Sequence, residues 1–287
     1  DRYIINPSMR KYLEVSVAIS KIALRYIAPE DLHQYSVDEF FMDVTNSYHR
    51  FSSTVQSFCQ KLQFEIKEET GINCSIGIGS NMLLSKIAMD VEAKHTKSLI
   101  AEWRYQDVPK KLWPIQPLRE FWGISRKIEA KLNKRGIFTI GDLAHYPHQY
   151  LKRDLGVIGV DLHLHANGID QSRVRDKYRV MNPSICKSQI LMRDYRYEES
   201  KVVMRELIED VASRVRGRNQ LARTIHFSFG YSDKGGINKQ YTLEEPTNLE
   251  DSIFKVVEYF ADKLCDRTAL IRTVSISLTQ FIEETDR

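Results

Sequence analysis

The strongest constraint on folding lies in residues 184–287, where two runs alternate strictly between apolar and hydroxyl-bearing or polar side chains. In one, Ile225, Phe227, Phe229 and Tyr231 oppose Thr224, His226 and Ser228; in the other, Val274, Ile276 and Leu278 oppose Thr273, Ser275, Ser277 and Thr279. A period of two belongs to a strand with one buried and one open face. Around these runs the pattern predicts strands at about Cys186–Tyr195, Leu221–Tyr231, Ile237–Leu243 and Leu270–Phe281, and helices at Glu198–Arg218 and Leu249–Asp266. The order is βαββαβ, a split βαβ arrangement with helices on one face and a Ser/Thr-rich face left open.

Such a segment is ferredoxin-like, and 287 residues leave room for one or two further small domains before it. Residues 1–101 mix helical and strand patterns. Tyr12, Ile19, Ile22 and Tyr26 recur at helical spacing between Ser8 and Pro29. Phe51, Val55, Phe58, Leu62 and Ile66 mark a second helix, with a cap at Asn46 and a stop at Gly71; Leu83, Leu84, Ile87 and Val91 mark a third after Gly79-Ser80-Asn81. Strand-like runs fall at 35–45, 72–78 and 98–103, whereas 102–180 has no strand pattern. The expected class is therefore α+β and multidomain: α+β over 1–101, all-α over 102–180 and α+β over 181–287. Four scattered cysteines without a C-x-x-C pair predict reduced thiols in a cytosolic, cytoplasmic protein. No run of about 18 apolar residues exists, and Asp1–Pro7 lacks the apolar core of a signal peptide, so no membrane partner is expected.

The net charge of +4 is small, but its basic excess falls in residues 118–180, which suits a polyanion partner. That segment twice shows an apolar helix, a glycine turn and a second apolar helix. The first runs from Leu118 through Gly123, Ile124 and Ser125 to Ile128 and Leu132, the second through Gly156 and Gly159 to Leu162 and Leu164. In a helix-hairpin-helix the unpaired N–H groups opening the second helix, reinforced by its dipole, can bind a phosphate. Lys127, Lys131, Lys134 and Arg135 add charge behind the first turn. On the C-terminal sheet, Lys187, Ser188, Arg193, Arg223, Lys239 and Arg272 are candidates to line a nucleic-acid backbone.

Tyr35-Ser36-Val37-Asp38-Glu39-Phe40-Phe41-Met42-Asp43 is the most informative stretch. Two adjacent carboxylates among apolar residues are costly to bury unless a cation pairs them. Neighbours on a strand point to opposite faces, so Asp38 and Glu39 converge only where the backbone bends, at a turn or bulge. Converging hard oxygen ligands suit Mg²⁺, and two such ions about 3.5–4 Å apart stabilise both the attacking and leaving oxygens of a phosphoryl transfer. Lys86 on the third helix and Lys94 beyond its end are candidates to meet polyphosphate oxygens.

The ordered segments SVDE, GIGSNMLLSKIAMDVEAK, FWGISRKIEAKLNKRGIFTIGDLA, ANGID and KSQILMRDY together resemble a Y-family translesion DNA polymerase, in the style of bacterial DNA polymerase IV and the catalytic subunit of polymerase V. The resemblance covers essentially the whole chain, as palm (1–101), thumb (102–180) and little finger (181–287). It implies a nucleotidyltransferase that extends primed DNA from dNTPs with two Mg²⁺ ions, in translesion synthesis and DNA repair after DNA damage. Asp38 then resembles the carboxylate that ligates both metals, Glu39 the one near the primer terminus, and Lys94 the lysine that contacts the triphosphate. The Asn81–Lys86 helix is similar to the one supporting that lysine. Gly123–Ser125 resembles the thumb hairpin that grips the primer, although Ser125 stands where a second glycine is commoner; Gly156–Gly159 looks like a second hairpin. Residues 184–287 resemble the little finger, whose open sheet face lies in the DNA major groove.

The chain also departs from the pattern. The family's first metal-binding aspartate, in a D-x-x-x-F-[FY] strand, and the fingers that cover the nucleotide have no counterpart in this sequence, which starts with Asp. The expectation is an N-terminally truncated polymerase core, inactive as it stands but still binding DNA. A Ser36 strand without its partner would leave an open palm edge prone to self-association. Thr285-Asp286-Arg287 form no clamp-binding tail, so a sliding clamp would be met through a region outside this sequence. Two alternatives stand beside this reading: a non-catalytic DNA-binding or regulatory relative, and a nucleotide cyclase, which pairs carboxylates around metals but has no use for two phosphate-gripping hairpins.

Overall fold

The computed structural model describes residues 7–176, 180–233 and 235–284, so the readings placed on residues 1–6 and 285–287 lie outside the described residues. The chain divides into two compact units, residues 1–177 and 178–287.

In the first unit, α1 (Met9–Ala23) opens where the Ser8 hydroxyl accepts from the Lys11 N–H. Helix α2 (Val55–Thr70) is opened by a reciprocal box between Thr54 and Ser57 and closed by Gly71 in the left-handed region. The cap is therefore Thr54 and not Asn46, because only Thr54 has a partner three residues on; Tyr48–Arg50 make a separate 3₁₀ turn. Strands β1 (Leu32–Gln34) and β2 (Phe40–Met42) form an antiparallel hairpin, and β3 (Ile76–Gly79) and β4 (Ile100–Trp103) a parallel pair. The strand expected over 35–45 is thus a turn followed by the short β2, which pairs with β1 in a two-stranded sheet. Helix α3 (Met82–Ile87) follows β3, and the all-helical part comprises α4 (Arg126–Asn133), α5 (Ile140–His145), α6 (His148–Leu155) and α7 (Val157–Ala166). One core gathers Ile22, Phe58, Leu62, Ile66 and Ile78. A second runs from Leu83 and Trp103 through Leu118 and Phe121 to Leu143 and Leu162, so the hairpins share a core with the region that carries α3 and β4.

The second unit comprises β5 (Ser184–Tyr195), α8 (Tyr197–Arg216), β6 (Gln220–Tyr231), β7 (Gly236–Thr247), α9 (Glu250–Leu264) and β8 (Ile271–Glu283). The sheet order is β5-β8-β6-β7, antiparallel throughout, with the last strand filling the gap of the split βαβ unit. Ile225, Phe227, Phe229, Val274, Ile276 and Leu278 pack with Leu207, Ile208 and Val211 of α8 and Ile253 and Val257 of α9. Each buried Phe contributes about 2–3 kcal/mol. The register lines Ser188, Ser275, Ser228 and Asn238 across the opposite face, with Cys186, Ser277, His226 and Gln240 in the next row. No helix among the described residues is long and apolar enough to cross a membrane.

Candidate active site and DNA-contacting surfaces

Residues 35–39 close the β1–β2 hairpin. The amides of Tyr35 and Ser36 both donate to the Glu39 carbonyl at 3.0 Å, which bends the chain sharply. The Ser36 hydroxyl donates to Asp38 Oδ1 at 2.7 Å and accepts from the Asp38 N–H at 3.3 Å. The bend that adjacent carboxylates require is therefore a turn.

Helix α3 faces this turn. The Asn81 side chain accepts from the Leu84 N–H at 2.8 Å and donates to the Gly168 carbonyl at 2.8 Å, while Asp170 accepts from the Leu83 N–H at 3.0 Å. A Cβ on Gly77 would lie 1.9 Å from the Ser85 carbonyl oxygen, and one on Gly79 2.2 Å from the Ser85 nitrogen. Bare backbone in β3 is what lets α3 lie so close. The result is that Lys86 Nζ sits 2.6 Å from Glu39 and 3.0 Å from Asp90, and Lys94 Nζ sits 2.7 Å from the second oxygen of Asp90. Burial by itself would pull the Lys86 ammonium down, but its bonds to Glu39 and Asp90 outweigh it and hold the group above its ordinary value. Burial would likewise push Asp90 up, and its bonds to Lys94 and Lys86 hold it below the usual carboxylate range. Sequence reasoning does not single out Asp90; the signal for it is the i, i+4, i+8 spacing of Lys86, Asp90 and Lys94.

Asp38, Glu39, Lys86 and Lys94 all line one cleft of about 1810 Å³. The two carboxylates offer hard oxygen donors of the kind Mg²⁺ takes, and so fit part of its coordination sphere. Among the described residues no third His, Cys, Asp or Glu completes a cluster.

The helix expected before the first glycine turn is only the 3₁₀ turn Leu118–Glu120, because Phe121 is already extended; Gly123 then has φ +89° and Ile124 is buried, so only its backbone reaches the turn. Ser125 caps α4, its Oγ accepting from the Ile128 N–H at 3.3 Å. Lys127, Lys131 and Lys134 are exposed and make no ion pair among the described residues. At the second hairpin Gly156 has φ +67° and α7 begins without a side-chain cap. Arg135 reaches Asp154 at 2.5 Å and ties the two together.

The sheet face is less basic than its sequence implies. Ser188 is exposed on the open face, but its neighbour Lys187 points to the helix side, pairing with Asp210 of α8 at 3.0 Å. Lys239 also lies on the helix side, over the Phe260 ring. The period-two alternation that exposes Ser188 turns Lys187 away. Arg193 pairs with Glu199 at 2.5 Å and covers the Tyr195 ring, and Arg272 reaches Asp194 at 3.4 Å. Arg223 is exposed at the irregularity between Ala222 and Thr224, with no ion pair among the described residues. The open face is thus chiefly one of hydroxyls and amides.

Residues 1–90 match the impB/mucB/samB family, 105–137 the IMS family HHH motif, and 182–287 the impB/mucB/samB family C-terminal domain. A DNA polymerase IV of Pelotomaculum thermopropionicum is 34% identical over 97% of this chain and 68% of its own length. This chain belongs to the impB/mucB/samB family of Y-family DNA polymerases. Another relative, the putative UV-damage repair protein UvrX of Bacillus subtilis, is 38% identical over 99% of this chain and 68% of its own length. A Y-family DNA polymerase chimera of known structure matches with a TM-score of 0.77 over 96% of this chain and 78% of its own, at 21% identity, which shows a shared fold. Within this Y-family chain the carboxylate turn and α3 fall in the first match, the Gly123 hairpin in the second and the open sheet in the third.

Proposed function

We propose that this chain carries the Asp38–Glu39 and lysine side of a template-directed DNA polymerase site, with the surfaces that hold primed DNA, and that the protein serves translesion synthesis in the cytoplasm. The observation that carries the reading is that Asp38, Glu39, Lys86 and Lys94 line one cleft, with α3 pressed onto β3 so that Lys86 meets Glu39. Palm (1–101), thumb (102–180) and little finger (181–287) are the working parts. In this reading Asp38 and Glu39 hold divalent cations, Mg²⁺ by the hardness of their oxygens. When bound, such a cation activates the primer 3′-hydroxyl and offsets charge on the phosphoryl group that it attacks, with pyrophosphate leaving. Lys94 meets the triphosphate of the dNTP, and Lys86 keeps Glu39 in place from beneath. The Gly123 and Gly156 turns grip the backbone, helped by Lys127, while Ser188, Ser228, Ser275 and Arg223 contact it from the sheet. Contacts to backbone rather than to base edges carry no sequence information, which suits altered templates.

The test is primer extension past a template lesion by the natural reading frame containing this chain. Asp38→Ala and Glu39→Ala are each expected to lower extension at least about a hundredfold while leaving DNA affinity unchanged. Duplex binding with no extension by the unsubstituted protein would instead mark a non-catalytic DNA-binding relative.

A further inference from the structure

An aromatic line joins the first hairpin to the carboxylate turn. Trp122, immediately before Gly123, donates its indole N–H to the Tyr35 hydroxyl at 3.0 Å, with the rings nearly perpendicular and their centroids 5.8 Å apart. His165 of α7 stacks parallel to Trp122 at 6.1 Å, and Tyr35 meets Phe41 of β2 edge-on at 5.8 Å. Tyr35 is also part of the turn, since its amide and that of Ser36 hold the Glu39 carbonyl. Tyr35 is 44% exposed, so this is not a core contact that burial alone would impose. Two polar-tipped rings meet tip to tip at the junction of two sites.

We infer that Trp122 and Tyr35 are positioning residues: a phosphate gripped at the Gly123 hairpin fixes Trp122, Trp122 fixes Tyr35, and Tyr35 fixes the turn that presents Asp38 and Glu39. The carboxylates are then ordered by engagement of DNA. The inference rests on reading the Gly123 hairpin as a DNA grip. Its value to the reaction is geometric, because a misplacement of about 1 Å at a reacting centre can cost about a hundredfold in rate.

Amide hydrogen exchange on the 287-residue chain, with and without a primed duplex, tests it in a way that needs no turnover. In the unsubstituted chain the duplex slows exchange at both 123–128 and 36–40. Tyr35→Phe, which removes only the hydroxyl, and Trp122→Phe each keep the slowing at 123–128 and lose about fivefold or more of it at 36–40, the equivalent of one hydrogen bond of about 1 kcal/mol. The double variant loses no more than Trp122→Phe alone, because both changes break the same link. A purely structural role would raise exchange at 36–40 in the free chain and leave the DNA-dependent increment intact, and that result overturns the inference. Slowing at neither segment in the unsubstituted chain overturns the DNA grip itself, and the link with it; slowing at 123–128 alone overturns only the link.

Discussion

The glycine turns at Gly123 and Gly156 look alike in sequence and leave different groups open. At the first, a Cβ added to Gly123 meets nothing closer than Leu162 Cδ2 at 3.6 Å, so that glycine is required by its φ of +89° and not by space. The Ile124 amide is spent on the Phe121 carbonyl, Ser125 occupies the cap, and bare lysines stand behind the turn. At the second, a Cβ on Gly159 would lie 2.2 Å from the Leu151 carbonyl oxygen, because α6 and α7 approach backbone to backbone. There α7 has no side-chain cap, and Val157 and Ile158 are exposed beside the turn. One hairpin is closed by a hydroxyl and backed by charge; the other is tight at its crossing and open at its tip. The same residue type thus meets a conformational demand at 123 and a steric one at 159.

The largest test of this contrast is Gly159→Val. Backbone cannot yield to the new side chain, so a loss of about 3 kcal/mol is expected in urea unfolding. Gly123→Ala, strained only in its dihedrals, should lose about 1–2 kcal/mol. Equal losses would dissolve the distinction. In DNA binding the hairpins should separate by salt dependence: Lys127→Ala with Lys131→Ala is expected to reduce the slope of log Kd against log salt by about 2, whereas Val157→Ser should change affinity and leave the slope alone. Fluorescence anisotropy across a salt series reads both. Ser125→Ala should cost about 1 kcal/mol and Ser125→Gly only a few tenths, the glycine also making the first turn resemble the second. Binding of the duplex no tighter with Gly than with Ala would show that the Ser125 cap does not restrict the grip.

The smallest effect concerns acid. Between the hairpins, the Phe138 and Thr139 amides hold the Asp142 carboxylate below its usual range as it completes the capping box that Thr139 opens on α5. A lowered folded value means that the cap contributes fully above about pH 4 and is lost as pH falls through the folded value. Because Asp142 is exposed, the contribution is below ~1 kcal/mol. Melting temperatures of Asp142→Asn and the unsubstituted chain should therefore differ near neutrality and converge toward pH 2; a constant difference would remove the carboxylate's charge from the account.

What was legible in the chain was whatever local pattern determines. Alternation in 225–231 and 273–279 gave the open and covered sheet faces, although Thr224 on the open side is buried against Gln280, and the adjacency of Asp38 and Glu39 called for the bend found at 35–39. Parity was the trap at Lys187, since a basic residue next to Ser188 on a strand necessarily faces the other way. The Asn46 cap failed for a similar reason: several polar residues precede the helix, and only the reciprocal bond between Thr54 and Ser57 chooses among them. The position of β8 between β5 and β6 and the meeting of Tyr35 with Trp122 depend on contacts far apart in the chain, which no periodicity encodes.

The hydroxyl-rich sheet face has a mechanical consequence. Its hydroxyls recur at every second residue along β8, roughly 6.8 Å apart. A polyanion lying along such a ladder finds equivalent short-range donors after each small displacement, and moving it disturbs few condensed counterions. If the sheet meets DNA as proposed, a surface built this way offers little friction and keeps hold of a duplex while letting it advance.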